Sequence, residues 1–243
     1  MKRNVVCIIL LFMLLHSVSC DKQETKTNNS SIQGAGMKKK ILLIGASVGQ
    51  DWNLAQLPHR MHETASEFES LAVYQYDKSD AIEEVLMRPR RKFRFSLGYV
   101  KGFFRPAPQL PNMIILKECA AYFPGDLNQY KVLMQKWVNR IRGAHISLMV
   151  ATVAPITKTR AARKEHQLES ILEFNDWIRE YCVKERIPLL DLERALRESD
   201  RNRVLQEKFT SGDGLHLNKE AYDVLDRLLL SRLSDMHRSE SVI

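Results

Sequence analysis

The chain lacks several patterns that would by themselves name a chemistry. It has no Gly-x-Gly-x-x-Gly, so no strand-to-helix turn is built to cradle a dinucleotide pyrophosphate. It has no Cys-x-x-Cys and no His-Glu-x-x-His, so no zinc ligand set is written in it, and neither metal nor cofactor is expected. Cysteine is scarce: of four, Cys7 and Cys20 lie in the front end and only Cys119 and Cys182 in the body. Those two follow an apolar strand and sit on the apolar side of a helix, so they read as core thiols; nothing in the sequence brings them together as a disulfide. No apolar run reaches the roughly 20 residues of a membrane span. Basic residues exceed acidic ones, 37 against 29, for a formal charge of +8, yet no nucleic-acid reader motif accompanies the excess.

What is present begins with Met1-Lys2-Arg3, then a mostly apolar Val5–Val18, then Ser19-Cys20. A basic start, a short apolar segment and small residues before a cleavage point form an export signal. The cysteine directly after small residues resembles a bacterial lipoprotein signal. That resemblance implies lipidation at Cys20 and anchoring in the bacterial cell envelope without a spanning helix, with plain secretion or a retained anchor as alternatives. Residues 21–37 are polar and aperiodic, a disordered tether. The body, expected over 38–235, leaves about 200 residues for one domain with a large core, and 236–243 reads as a flexible tail. Two basic clusters, Lys38-Lys39-Lys40 and Arg88–Arg94, are a solvated surface or an attraction to anionic headgroups or an acidic polysaccharide.

Along the body, short apolar runs alternate with helical periodicity. Strands are predicted at 40–44, 71–76, 112–116, 146–153 and 188–192. Helices are predicted at 81–87, 127–142 (ended by Gly143), 165–185 and from Asn218 onward, with Asn218 as N-cap. The segment Phe93–Pro108 is aromatic, basic and rich in Gly and Pro, the composition of a long functional loop. Five strand–helix alternations predict a three-layer α/β/α domain on a mostly parallel five-stranded sheet. Ligands of such sheets bind beyond the carboxyl ends of the strands.

Two short stretches fall at that edge. Gly45-Ala46-Ser47-Val48-Gly49 follows the first strand, and Asp213-Gly214-Leu215-His216-Leu217-Asn218 precedes the last helix. Together they hold a hydroxyl nucleophile, an imidazole base and an orienting carboxylate: Ser47, His216 and Asp213. Gly-x-Ser-x-Gly formally matches the nucleophile elbow of α/β-hydrolases. That elbow lies deep in its chain, however, with acid and histidine on separate loops.

The layout instead resembles the SGNH/GDSL hydrolase family, over roughly Lys39 to Leu229. Its first block stands here as Gly45-Ala46-Ser47 and its last as Asp213 and His216. Val150–Pro155, Phe174-Asn175, Pro188–Leu192 and Ala221-Tyr222 are also similar to the family. The resemblance implies a flavodoxin-like fold and ester cleavage with Ser47, His216 and Asp213 in the catalytic roles. The middle blocks depart. Ungapped counting puts Ser79-Asp80 near the family's second-strand glycine and Cys119-Ala120-Ala121-Tyr122 at its Gly-x-Asn-Asp, with Ala121 in the asparagine's place. The Ser47 backbone N–H is left as an oxyanion donor, with Lys117 or Glu118 as pocket-shaping neighbours. The expected function is therefore an exported serine esterase acting on O-acyl glycans or lipid esters. A non-catalytic glycan- or lipid-binding protein on the same fold and a glycan O-acyltransferase are the alternatives. The partners expected are a small-molecule, glycan or lipid ester and, through Cys20, a membrane; nucleic acid is not expected. His59, His62 and His166 have no such pairing and read as surface residues.

Overall fold

The computed structural model describes residues 38–63, 65–90 and 108–240. The signal, Cys20, the tether, most of the Phe93–Pro108 loop and the last three residues lie outside them.

Ile41-Leu42-Leu43-Ile44 is apolar without alternation, which suits a strand covered on both faces. It is the centre of β1 (Lys39–Gly45), and all four residues are buried. The chain then forms α1 (Ser47–Asp51), a 3-10 turn at Leu54–Gln56 and α2 (Leu57–Met61) before β2 (Ser66–Ala72). After α3 (Ser79–Leu86) come β3 (Met113–Lys117), α4 (Leu127–Gly143), β4 (Ser147–Ala151), α5 (Lys158–Ala161), α6 (Gln167–Glu185), β5 (Leu189–Leu190), α7 (Leu192–Leu196) and α8 (Lys219–Glu240). The five strands form one sheet in the order β2-β1-β3-β4-β5, every neighbouring pair parallel.

The strands divide their side chains between two cores. Leu42, Ile44, Ile114 and Leu116 pack with α3, α4 and α6; Ile41, Leu43, Met113 and Ile115 pack with α1, α2, α7 and α8. This is the predicted three-layer architecture. Cys119 and Cys182 are buried and free, as read. Asn218 accepts the Ala221 N–H (3.1 Å), as an N-cap does.

Several details differ from the sequence reading, among them the fifth strand, which is only Leu189–Leu190 and gives way to α7 at Leu192 instead of running over 188–192. The second strand is Ser66–Ala72, not 71–76. It is an edge strand with β1 as its one partner in the sheet, so it tolerates Glu67 and Glu69 on alternate positions; Glu69 pairs with Lys40 at 2.7 Å. Gly143 is the last residue inside α4, and the left-handed backbone falls on His145 (φ 56°). The final helix runs to Glu240, past the expected boundary at 235. No helix among the described residues is long and apolar enough to cross a membrane.

Candidate active site

From β1 the chain steps outward to β2 and returns across β1 to β3. The crevice between β1 and β3 is thus the point where strand order reverses, and ligands of open α/β sheets collect there. Ser47 opens α1 directly after β1, and Cys119 follows β3. Their Oγ and Sγ atoms lie 4.0 Å apart.

The late loop brings the other two residues to the same place. An antiparallel bridge between Thr210 and Leu217 closes it, and Ser211 N–H donates to the His216 carbonyl (2.9 Å). Thr210 Oγ1 accepts from Gly212 and Gly214 N–H at 3.1 and 3.0 Å. Leu215 anchors in one core and Leu217 in the other, so the imidazole between them is held on both sides. His216 Nε2 lies 3.1 Å from Ser47 Oγ, and its Nδ1 lies 2.6 Å from Asp213 Oδ2. Asp213 Oδ1 accepts the backbone N–H of both Leu215 and His216 at 2.8 Å. Partial burial alone would raise the Asp213 pKa. Those two N–H groups and the His216 ring outweigh it and hold the carboxyl at about 2, so Asp213 is ionised at any working pH. A carboxylate, an imidazole and a hydroxyl in this order can move a proton off the hydroxyl.

A chain of polar contacts braces this loop against its neighbours. Thr157 N–H donates to the Gly214 carbonyl (3.0 Å), and Arg160 donates to the Asp213 carbonyl (3.3 Å) and to Gln167 (3.2 Å). Gln167 in turn donates to the Ala120 carbonyl (2.8 Å), beside Cys119. Gly214 sits at φ 75°, and a Cβ there would lie 2.4 Å from Thr157 Oγ1 and 2.9 Å from Arg160 Cβ. Gly214→Ala therefore strains the backbone and pushes the loop off Thr157, at a cost of about 1–3 kcal/mol. We expect its Tm to fall by roughly 3–8 °C and its kcat to fall with it. Thermal unfolding and turnover on one preparation check both, and an unchanged kcat would mean that this brace does not hold His216.

The middle segments are used differently from the ungapped reading. Ser79 and Asp80 open α3, where Ser79 Oγ accepts from Trp137 Nε1 (3.1 Å) of α4 in the same layer. The residues that follow β2 at the site edge are Val73 and Tyr74; Val73 N–H donates to the Gly45 carbonyl (2.6 Å). Ala121 is exposed on a 3-10 turn at Ala120–Tyr122, and its methyl offers no donor. Lys117 and Glu118 are each 1% exposed. Lys117 Nζ donates to the Glu118 carbonyl (2.8 Å), and Glu118 pairs with Lys78 (2.7 Å). Burial pushes Glu118 up, against the pull of Lys78, and pushes Lys117 down. The Glu118–Lys78 pair thereby ties the segment after β3 to the segment after β2, while Lys117 stays within its own segment. Sequence reasoning took Cys119 as a core thiol at the head of the Gly-x-Asn-Asp position and passed over Tyr74, Gln50 and Arg160; no local motif marks those three, since each acts through a neighbour distant in sequence. His59 belongs to α2, His62 caps its end, and His166 pairs with Glu165 and Glu169 at the start of α6. The described residues hold no group of three or more His, Cys, Asp or Glu placed to bind a metal.

No family model matches the chain, and no curated protein matches it. Solved structures do. A GDSL-like lipase from Bacteroides thetaiotaomicron superposes with TM-score 0.58 at 13% identity, over 82% of this chain and 89% of that one. A lipase/acylhydrolase from Enterococcus faecalis gives 0.54 at 12%, over 82% and 96%. An acetyl xylan esterase gives 0.55 at 14%, over 79% and 98%. At such identities the likeness is one of fold: this chain has the three-layer fold seen in GDSL-type lipases and esterases.

Proposed function

We propose that this protein is a serine hydrolase that cleaves carboxylic esters through an acyl-enzyme. The observation that carries the reading is the 3.1 Å approach of His216 Nε2 to Ser47 Oγ, with Asp213 on the opposite ring nitrogen. The lipase and esterase titles of its fold neighbours point the same way. His216 takes the Ser47 proton as Oγ bonds to the ester carbonyl carbon. The tetrahedral oxyanion forms against the Ser47 N–H, at the start of α1 where helix geometry leaves N–H groups without intrahelical partners. Collapse breaks the C–O bond, and His216 returns the proton to the departing alcohol. Water then attacks the acyl-Ser47 ester, again with His216 as base, and releases the acid. Asp213 holds the imidazole with Nδ1–H toward itself, leaving Nε2 to face the serine. A glycan O-acyltransferase differs only in replacing that water with a sugar hydroxyl. The site serves an exported protein lipidated at Cys20, on this reading.

The test is covalent capture. A fluorophosphonate probe should label the body, and peptide mapping should place the adduct on Ser47. Labelling should slow as the pH is lowered, because a protonated His216 cannot accept the serine proton. An adduct on another residue, or a labelling rate independent of pH from 9 to 5, would remove His216–Ser47 as the reacting pair.

A further inference from the structure

One exposed aromatic ring stands at the site edge, and the mechanism above does not use it. Tyr74 is 63% exposed, one of four large apolar residues so exposed among those described. The others, Met87, Val132 and Val183, follow α3 or lie on α4 and α6. Tyr74 follows the residue whose N–H bonds the Gly45 carbonyl, so it leaves the sheet beside the turn that carries Ser47.

Exposed side chains ordinarily range over several rotamers, whereas Tyr74 is braced. Its hydroxyl donates to Gln50 Oε1. Gln50 is three residues after Ser47 in α1, on the same helical face. The Tyr122 hydroxyl shares its one proton between the carbonyls of Val73 and Gln75, the two residues flanking Tyr74, at 3.3 and 3.4 Å. Tyr122 itself packs edge-on against Tyr76, with centroids 5.3 Å apart. The result is an aromatic plate fixed at its tip and at its backbone, flanked by the exposed Gln50, which it bonds, and by Gln75, its neighbour in the chain.

We propose that Tyr74, braced by Gln50, is the platform on which the sugar ring of an O-acylated glycan stacks while its acyl group reaches Ser47. This rests on the esterase reading and names its substrate class. A pyranose has an apolar C–H face that matches an aromatic ring and hydroxyls that match flanking amide groups. A ring already held in place loses little conformational entropy when a ligand stacks on it. A long acyl chain would instead need a continuous apolar strip, and the described rim around Tyr74 is polar.

Two measurements separate this inference from the esterase reading. The first compares kcat/KM on a mono-O-acetylated methyl glycoside with kcat/KM on p-nitrophenyl acetate, for the wild type, Tyr74→Ala and Tyr74→Phe. The ratio should fall at least about tenfold in Y74A, mainly through KM, and only about threefold in Y74F, which keeps the ring and loses the Gln50 bond. An unchanged ratio in Y74A overturns the platform, as does a preference for long-chain esters over acetyl glycosides. The second needs no turnover: calorimetric binding of the acetylated oligosaccharide to Ser47→Ala and to Ser47→Ala/Tyr74→Ala. The single variant should bind and the double variant should bind at least about tenfold more weakly. Absence of binding to the single variant overturns the platform. Binding that depends on Tyr74, combined with no ester cleavage by the wild type, would keep the platform and refute the esterase.

Discussion

Ser47→Ala should lower kcat/KM on an activated ester by about ten-thousand-fold or more, His216→Ala should do nearly as much, and the double variant should be no worse than either. In the proposed mechanism the three residues form one path: Asp213 orients the ring, the ring takes the proton, and the proton comes from Ser47 Oγ, along contacts of 2.6 and 3.1 Å. Once one member is gone, the others have nothing to pass on. The damage should therefore not add, and what remains is binding and the Ser47 N–H. Folding should be little affected, because Ser47 is half-buried on a short surface helix and loses only its hydroxyl. Steady-state kinetics on the three variants, with circular dichroism as the folding control, give the answer. Losses that multiply in the double variant would mean that Ser47 and His216 act independently. A wild-type rate in S47A would end the serine mechanism altogether.

The second large effect falls on stability. Glu193 is 0% exposed and accepts from three arginines. Arg179 comes from α6, Arg197 follows α7, and Arg203 comes from the next loop, with Arg203 Nη2 at 2.6 Å. Its backbone N–H donates to Thr152 Oγ1 at the end of β4 (3.0 Å). Burial alone would raise the Glu193 pKa, but hydrogen bonds from Arg203 and Arg179 overcome it and hold the carboxyl at about 2. Glu193→Ala removes the buried carboxylate that the three arginines share, although Arg179 keeps Asp176 and Asp191, Arg203 keeps Asp176 and Arg197 keeps Asp200, and should cost about 2–3 kcal/mol. The linkage has a definite sign. A carboxyl depressed in the folded state contributes in full above its unfolded pKa, about 4.3. That contribution is lost as pH falls toward about 2, where the folded carboxyl also protonates. Urea unfolding of the wild type and Glu193→Gln should therefore show a gap that is widest near neutral pH and closes between about pH 4 and 2. A gap constant over that range would mean that the charge of Glu193 contributes nothing to stability.

The catalytic candidates and the fold class were legible for a local reason. Ile41–Ile44 must be a doubly covered strand, and a serine one turn later must then lie at the carboxyl edge. Asp213 and His216, three residues apart, meet whenever a tight loop joins them. β2 was displaced because its alternation, Ser66-Glu67-Phe68-Glu69-Ser70, is mostly polar. Only its edge position and the Lys40–Glu69 pair explain why it is a strand. The short helices α1, α2, α5 and α7 escaped notice because each is a single turn, stabilised by packing and caps instead of by periodicity. Thr157 and Asp191 cap two of them.

By itself the sequence determined the layer architecture and the candidate nucleophile, base and acid, since each follows from periodicity or from spacing within a few residues. Only the tertiary structure decided what surrounds them. It placed Cys119 beside Ser47, Tyr74 over Gln50, Arg160 against the Asp213 carbonyl and three arginines on Glu193. Those neighbours come from strands and loops distant in the chain. Their juxtaposition depends on sheet order and on where each crossover lands, and no local pattern of residues encodes either.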